Sequence, residues 1–230
     1  MRPVDRGVAP LGAFTSYREA AAPLMRALGD YCSYCERHIP THMAVEHIQP
    51  KSWVPALLLS WGNFLLACGN CNSNKGSTPI VLADYFWPDT DNTLRAFEYK
   101  NGGLVEPSYG LAAALLLKVQ ATIDLLGLDK YPSNPDPTKE PTAADLRWQH
   151  RRQLWDCAER SKQRLLANDS VELREQVVES AVLRGSFGIW YAVVGFDLDM
   201  RRRLIAAFRG TPTNCFDAAA LPVLRPGGAI

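Results

Sequence analysis

Four of the six cysteines fall into two C-x-x-C pairs, Cys32/Cys35 and Cys68/Cys71. Two such knuckles can wrap one ion tetrahedrally as four thiolates, which is the chemistry of structural zinc. The pairs are separated by 32 residues, 36 to 67. That gap exceeds the usual zinc-ribbon spacing, so something folded must lie between the knuckles. A structural zinc ion can contribute ~10–16 kcal/mol to the folding of a small module, enough to hold a segment with little core of its own. His38 and His42 could each replace a sulfur as ligand, but four thiolates already fill the shell, and both read as surface or DNA-facing residues. Cys157 lies in a helical pattern and Cys215 near the end of the sequence. Both read as small buried apolar residues rather than reactive thiols.

The segment between the knuckles carries the remaining polar constellation. Residues 43–48, Met-Ala-Val-Glu-His-Ile, form a strand-like run that sets Glu46 and His47 side by side near its end. Pro50 then forces an exit into a loop. Asn63 precedes a second apolar strand candidate at 64–67, and Cys71-Asn72-Ser73-Asn74-Lys75-Gly76 suits a helix start, where Asn and Ser cap well. Two strands and a helix over one groove make a ββα-metal unit.

In order, the chain presents C-x-x-C, Glu-His followed by Pro-Lys-Ser, Trp-x-Asn with apolar residues, and C-x-x-C-Asn-x-x-Lys-Gly. This string resembles the zinc-finger-bearing branch of the HNH endonuclease family and covers about a fifth of the chain. The resemblance implies a nuclease with DNA as the favoured polymer. It makes His47 the general base toward water, at an ordinary pKa near 6.5. It makes Glu46 and Asn72 oxygen ligands of one catalytic Mg²⁺ or Mn²⁺, with Asn74 a competing ligand. Asn63 would hold the loop and hydrogen-bond the His47 imidazole. Lys51 and Lys75 read as phosphate contacts or, equally, as solvated charges. Two positions depart from the common pattern, Glu46 for Asp and Asn72 for His. Outside the motif the chain is loosely similar to Septu-type and retron-associated anti-phage HNH nucleases, which implies an ATPase partner. The alternatives are an RNase or toxin nuclease, and a catalytically silent zinc-stapled module that binds nucleic acid or protein.

These residues need a scaffold of four segments: an N-terminal helical arm (1–30), the zinc-stapled module (31–80), a connector with a β-hairpin (81–108) and a helical body (109–230). The hairpin is signalled by Asn101-Gly102-Gly103 between apolar runs. Helical patterns cover 13–29, with Pro23 an uncertainty, 109–128, 142–168, 171–183 and 199–208, while 187–194 is a short apolar segment and 131–141 a proline-rich loop. The fold class is therefore α+β, mainly helical.

Composition bounds the rest. At 230 residues, 47% hydrophobic and 21% charged, the chain is an ordinary globular sequence, and disorder as its dominant state is excluded. A net charge of +1 offers no global attraction for nucleic acid, so that case rests on local patches. Basic groups recur at Arg147/His150/Arg151/Arg152, Arg160/Lys162/Arg164 and Arg201/Arg202/Arg203, with acids Asp145, Asp156 and Glu159 interleaved. They read as solvated helix faces or, if they line the groove beside the metal module, as phosphate clamps that do not read sequence. Tyr85-Phe86-Trp87 and Trp148/Trp155 read as core. No apolar run approaches the ~20 residues a bilayer requires, and the start lacks the apolar core of a secretory signal, so the expected location is the cytoplasm.

Overall fold

A computed structural model describes residues 1–230. Helix α1 (Ala21–Leu28) follows a 3-10 turn at Tyr17–Ala20, whose Ser16 side chain accepts from the Arg18 amide. Pro23 is tolerated because it sits in the first turn, where its missing N–H would have had no intrahelical partner. Strands β1 (Ala44–His47) and β2 (Phe64–Ala67) pair antiparallel, with His47 opposite Phe64 and Ala44 opposite Ala67. Helix α2 (Gly69–Lys75) leaves β2 directly, with Cys68 as its cap. These three elements are the expected ββα unit.

The second hairpin, β3 (Phe97–Lys100) with β4 (Leu104–Pro107), turns at Asn101-Gly102-Gly103 as the sequence predicts. Five helices follow: α3 (Ala113–Leu126), α4 (Arg147–Ala167), α5 (Val171–Arg184), α6 (Phe187–Val194) and α7 (Leu198–Ala207). The apolar segment 187–194 is thus helical. It is nearly all buried, with Phe187, Ile189, Trp190, Val193 and Val194 in the core. No helix is long and apolar enough to cross a membrane. The buried apolar cluster is continuous and draws on all four segments, from Leu24 and Leu66 to Phe97, Ile123 and Leu204. Phe86 and Trp87 belong to it, while Tyr85 and Trp155 pack on its margin.

Helix α4 corrects one reading. Arg147 and Arg151 are buried, not part of a solvated face. Arg151 donates to the carbonyls of Gly103 and Leu128 at 2.8 Å each, tying the second hairpin to the end of α3. Arg147 ion-pairs with Asp145 and donates to the Leu126 and Gly127 carbonyls at 2.8 and 2.9 Å, satisfying the free end of α3.

His150 sits between these arginines. Burial, and then the charges of Arg37, Arg151 and Arg184, pull its pKa from the ordinary 6.5 down to about 4. The folded value lies below the unfolded one, so the unfolded chain takes the proton first as pH falls. The contribution of His150 to stability is therefore full above about 6.5 and is lost between there and about 4. The variant His150→Gln should lose less stability than the native protein across that window, measured as the urea midpoint against pH.

Candidate active site and metal cluster

The four knuckle sulfurs, all on buried residues, lie within 4.8 Å of one another. Cys35 Sγ and Cys68 Sγ are 3.7 Å apart, close to the ~3.8 Å edge of a tetrahedron with metal–sulfur bonds of ~2.3 Å. The donor set therefore fits a single tetrahedral ion, and the two remaining cysteines stand apart from it. Cys215 is buried and Cys157 half-buried. Cys68 Sγ accepts the Cys71 amide at 3.4 Å, so the second knuckle is also the N-terminal cap of α2. Hydrogen bonding from Cys32, Cys35 and Cys71 holds the Cys68 thiol well below its ordinary range. Arg147 Nη1 donates to Cys71 Sγ at 3.2 Å, placing a buried cation beside the sulfurs.

The first knuckle is locked from the other side. Glu36, in a left-handed conformation (φ 60°), turns the chain immediately after Cys35. Its Oε2 accepts from Tyr99 Oη at 2.8 Å and from the Gly188 amide at 3.1 Å. Its carbonyl accepts from the Ser186 amide at 2.7 Å. Gly185 (φ +75°) makes this approach possible, because a Cβ there would lie 2.5 Å from the Glu36 carbonyl oxygen.

On the neighbouring face, Glu46, His47, Lys51 and Asn72 line one cavity of about 330 Å³ together with Tyr17. Of the four expected catalytic residues, Glu46, His47 and Asn72 are thus brought together by β1 and α2, whereas Asn63 lines a separate hollow. His47 is 6% exposed. Its ring meets Phe64 and Tyr17 edge-on at 5.2 and 5.0 Å. Nε2 lies 3.0 Å from the Leu58 carbonyl oxygen. A carbonyl only accepts, so Nε2 carries the proton and donates, which leaves the lone pair on Nδ1. Burial, with the Lys51 and Lys75 charges, lowers the imidazole pKa against the opposing Leu58 bond.

The expected hydrogen bond from Asn63 to the imidazole is not formed. Asn63 instead closes the loop between the strands. Its Oδ1 accepts from the Gln49 amide at 2.8 Å, and its Nδ2 donates to the Gln49 carbonyl at 2.9 Å and to Leu57 at 3.4 Å. It therefore holds the backbone from which the next residue, Leu58, reaches His47.

Lys75 departs further from expectation. It is fully buried rather than available to phosphates. On α2 it lies one turn after Asn72 and so on the same helix face. Its Nζ lies 2.7 Å from Glu46 Oε1 and donates to the His47 carbonyl at 2.8 Å. The carboxylate contact is a buried ion pair. Burial pushes the Glu46 carboxyl above its usual range, and Lys75 only partly opposes this. The Glu46 carboxylate, ion-paired with Lys75, and the Asn72 amide at the same cavity are hard oxygen donors of the kind that suits Mg²⁺-class ions. Asn74 points elsewhere, with its Nδ2 on the Asn70 carbonyl at 2.7 Å and its Oδ1 accepting from Lys130 at 2.9 Å. Lys51 remains exposed at the cavity.

A larger hollow of about 510 Å³ opens beside the same loop, lined by Ile48, Leu57, Tyr85 and Trp87 among others. Its carboxylates are engaged, Asp89 with Arg6 and Asp91 with the Trp87 and Ala229 amides. It lacks a base and is not the candidate centre.

Geometry and sequence meet in the comparisons with known proteins. Residues 32–78 match the model of the HNH endonuclease family, the segment that carries both the sulfur cluster and the cavity. The chain is also similar to the Septu protein PtuB of Bacillus thuringiensis, 29% identical over 113 residues that cover 46% of this chain. The match spans 40% of that relative's length.

The sequence did not point to Tyr17, the Leu58 carbonyl or the Arg147–Cys71 bond. Each comes from outside the motif or from backbone, where no spacing signals it.

Removing one partner of the buried pair has a calculable consequence. Lys75→Met leaves Glu46 uncompensated and should cost about 3–5 kcal/mol in urea unfolding. Adding Glu46→Gln to that variant should restore most of the loss.

Proposed function

We propose that this protein is a metal-dependent nuclease that hydrolyses phosphodiester bonds, of DNA ahead of RNA, as part of anti-phage defence. The observation that carries this reading is a single cavity shared by Glu46, His47 and Asn72, within the segment that matches the HNH endonuclease family. The nuclease module is assigned to residues 31–80, the arm to 1–30, the connector to 81–108 and the helical body to 109–230. Similarity to the Septu protein PtuB supports the defence role, and the resemblance of the chain to Septu-type nucleases extends the reading to a partner protein with ATPase activity.

The residues divide the work as follows. His47, with Nε2–H committed to Leu58, presents Nδ1 as the base that takes a proton from the attacking water. Its lowered pKa keeps the ring neutral at neutral pH, the form a base requires. Asn63 keeps the Leu58 carbonyl in place through Gln49 and Leu57. Lys51 offers its ammonium to a substrate phosphate at the rim. Glu46 and Asn72 would hold one divalent ion, Mg²⁺ or Mn²⁺, which supplies charge stabilisation to the scissile phosphate and the leaving oxygen. Because the nucleophile is water rather than a ribose hydroxyl, the same geometry serves RNA. Zinc is assigned to Cys32, Cys35, Cys68 and Cys71 as a structural ion.

Plasmid DNA and total RNA, each incubated with the purified protein and Mg²⁺, Mn²⁺ or EDTA, test the reading. Metal-dependent cleavage of plasmid should fall by about 10²–10⁴-fold in His47→Ala. Cleavage of RNA alone would replace DNA as substrate, and undiminished cleavage by His47→Ala would remove the assignment. Separately, a zinc chelator strong enough to compete with four thiolates should lower the melting temperature and release one zinc per chain. A melt indifferent to such a chelator would overturn the structural ion.

A further inference from the structure

The N-terminal arm also enters the cavity. Tyr17 begins the 3-10 turn ahead of α1 and lies outside the matched segment 32–78. Its ring lines the cavity with Glu46, His47 and Asn72 and packs edge-on to the imidazole at 5.0 Å. Two cations gather on that ring, Lys51 Nζ at 4.3 Å from its centroid and Arg18 Cζ at 6.0 Å. Both cations are exposed, and neither takes part in an ion pair of the fold. The nearby Glu19 is committed to Thr15, accepting from its amide and hydroxyl at 3.0 and 2.6 Å. Lys51, and then Arg18, hold the phenol below its ordinary range.

A lysine free in solvent spreads over many rotamers, and fixing it costs side-chain entropy. An aromatic face beneath the ammonium offsets part of that cost. Two cations that form no ion pair, beside a base for phosphodiester attack, match a polyanion whose phosphates repeat along a chain. We propose that Tyr17 is a positioning residue for substrate: its ring holds the Lys51 ammonium at the rim so that Lys51 and Arg18 grip a backbone phosphate flanking the scissile one. This rests on the nuclease reading above. It adds the arm to the substrate-binding surface and assigns it a phosphate-binding task that is independent of base sequence.

The test measures binding without turnover. Labelled DNA duplex is titrated with the full chain carrying His47→Ala, by fluorescence anisotropy at several salt concentrations. Adding Tyr17→Phe, which keeps the aromatic face, should leave affinity near the parent value. Tyr17→Leu and Lys51→Gln should each weaken binding about two- to fivefold. Lys51→Gln should also lower the slope of log K against log salt by about 0.9, one phosphate contact, and Tyr17→Leu should lower it in the same direction. The two together should be little worse than either alone. In the cleaving protein, Tyr17→Leu should raise KM more than it lowers kcat. Should Tyr17→Leu melt early, Tyr17→Met replaces it, filling the contact without a π face. Additive losses, an unchanged salt slope, or Tyr17→Phe as weak as Tyr17→Leu would each overturn the role of the ring. Absence of any DNA binding would overturn the phosphate ligand. Binding that behaves as expected in a protein that cleaves neither polymer would refute the nuclease reading and leave the Tyr17–Lys51 grip standing.

Discussion

Four sulfurs confined within 4.8 Å constrain everything else in the site. Deprotonated and without a cation they would repel one another inside a desolvated pocket. A tetrahedral ion turns the same cluster into a staple between two chain segments. The staple fixes the end of β2 and the start of α2 against the turn at Cys32–Cys35, although the ββα unit has only two four-residue strands and a seven-residue helix. Elements that short do not hold themselves.

The cluster also explains why the helical body and the motif share one core. Arg147 joins α4 to Cys71 and to the end of α3, so a single guanidinium touches three elements. Glu36 performs the matching task for the first knuckle through Tyr99, Gly188 and Ser186. Displacement of the body would disturb the sulfurs, and loss of the sulfurs would release both docking points. Beside the cluster, Lys75 settles a second electrostatic problem. Its ammonium crosses from α2 to Glu46 and the His47 carbonyl, setting the distance between the helix that carries Asn72 and the strand that carries His47.

Much of this was legible in the sequence because it is local or periodic. The paired cysteines, the Glu-His dipeptide after an apolar run and the Asn-Gly-Gly hairpin turn each specify their own geometry within a few residues. Helix α4 was visible from its pattern, yet its start was placed five residues early. The segment 142–146 is a turn that brings Asp145 beside Arg147. The apolar run at 187–194 carried too little contrast to show helical period, since it is apolar on its buried and its exposed side alike. Charge was the least legible property. Lys75, Arg147 and Arg151 look like surface residues by type, and only the carbonyls, carboxylate and sulfur that surround them explain their burial.

The sequence by itself determined the ligand types, their order along the chain and the ββα unit that carries them, because spacing and hydrophobic alternation act over short distances. Tertiary structure alone decided which atoms do the holding: the Leu58 carbonyl on His47, Asn63 on the loop rather than the ring, Lys75 on Glu46, and Tyr17 against the His47 ring. Those choices join groups 11 to 30 positions apart. They depend on where the packed core leaves a donor or a ring, and no local pattern encodes that.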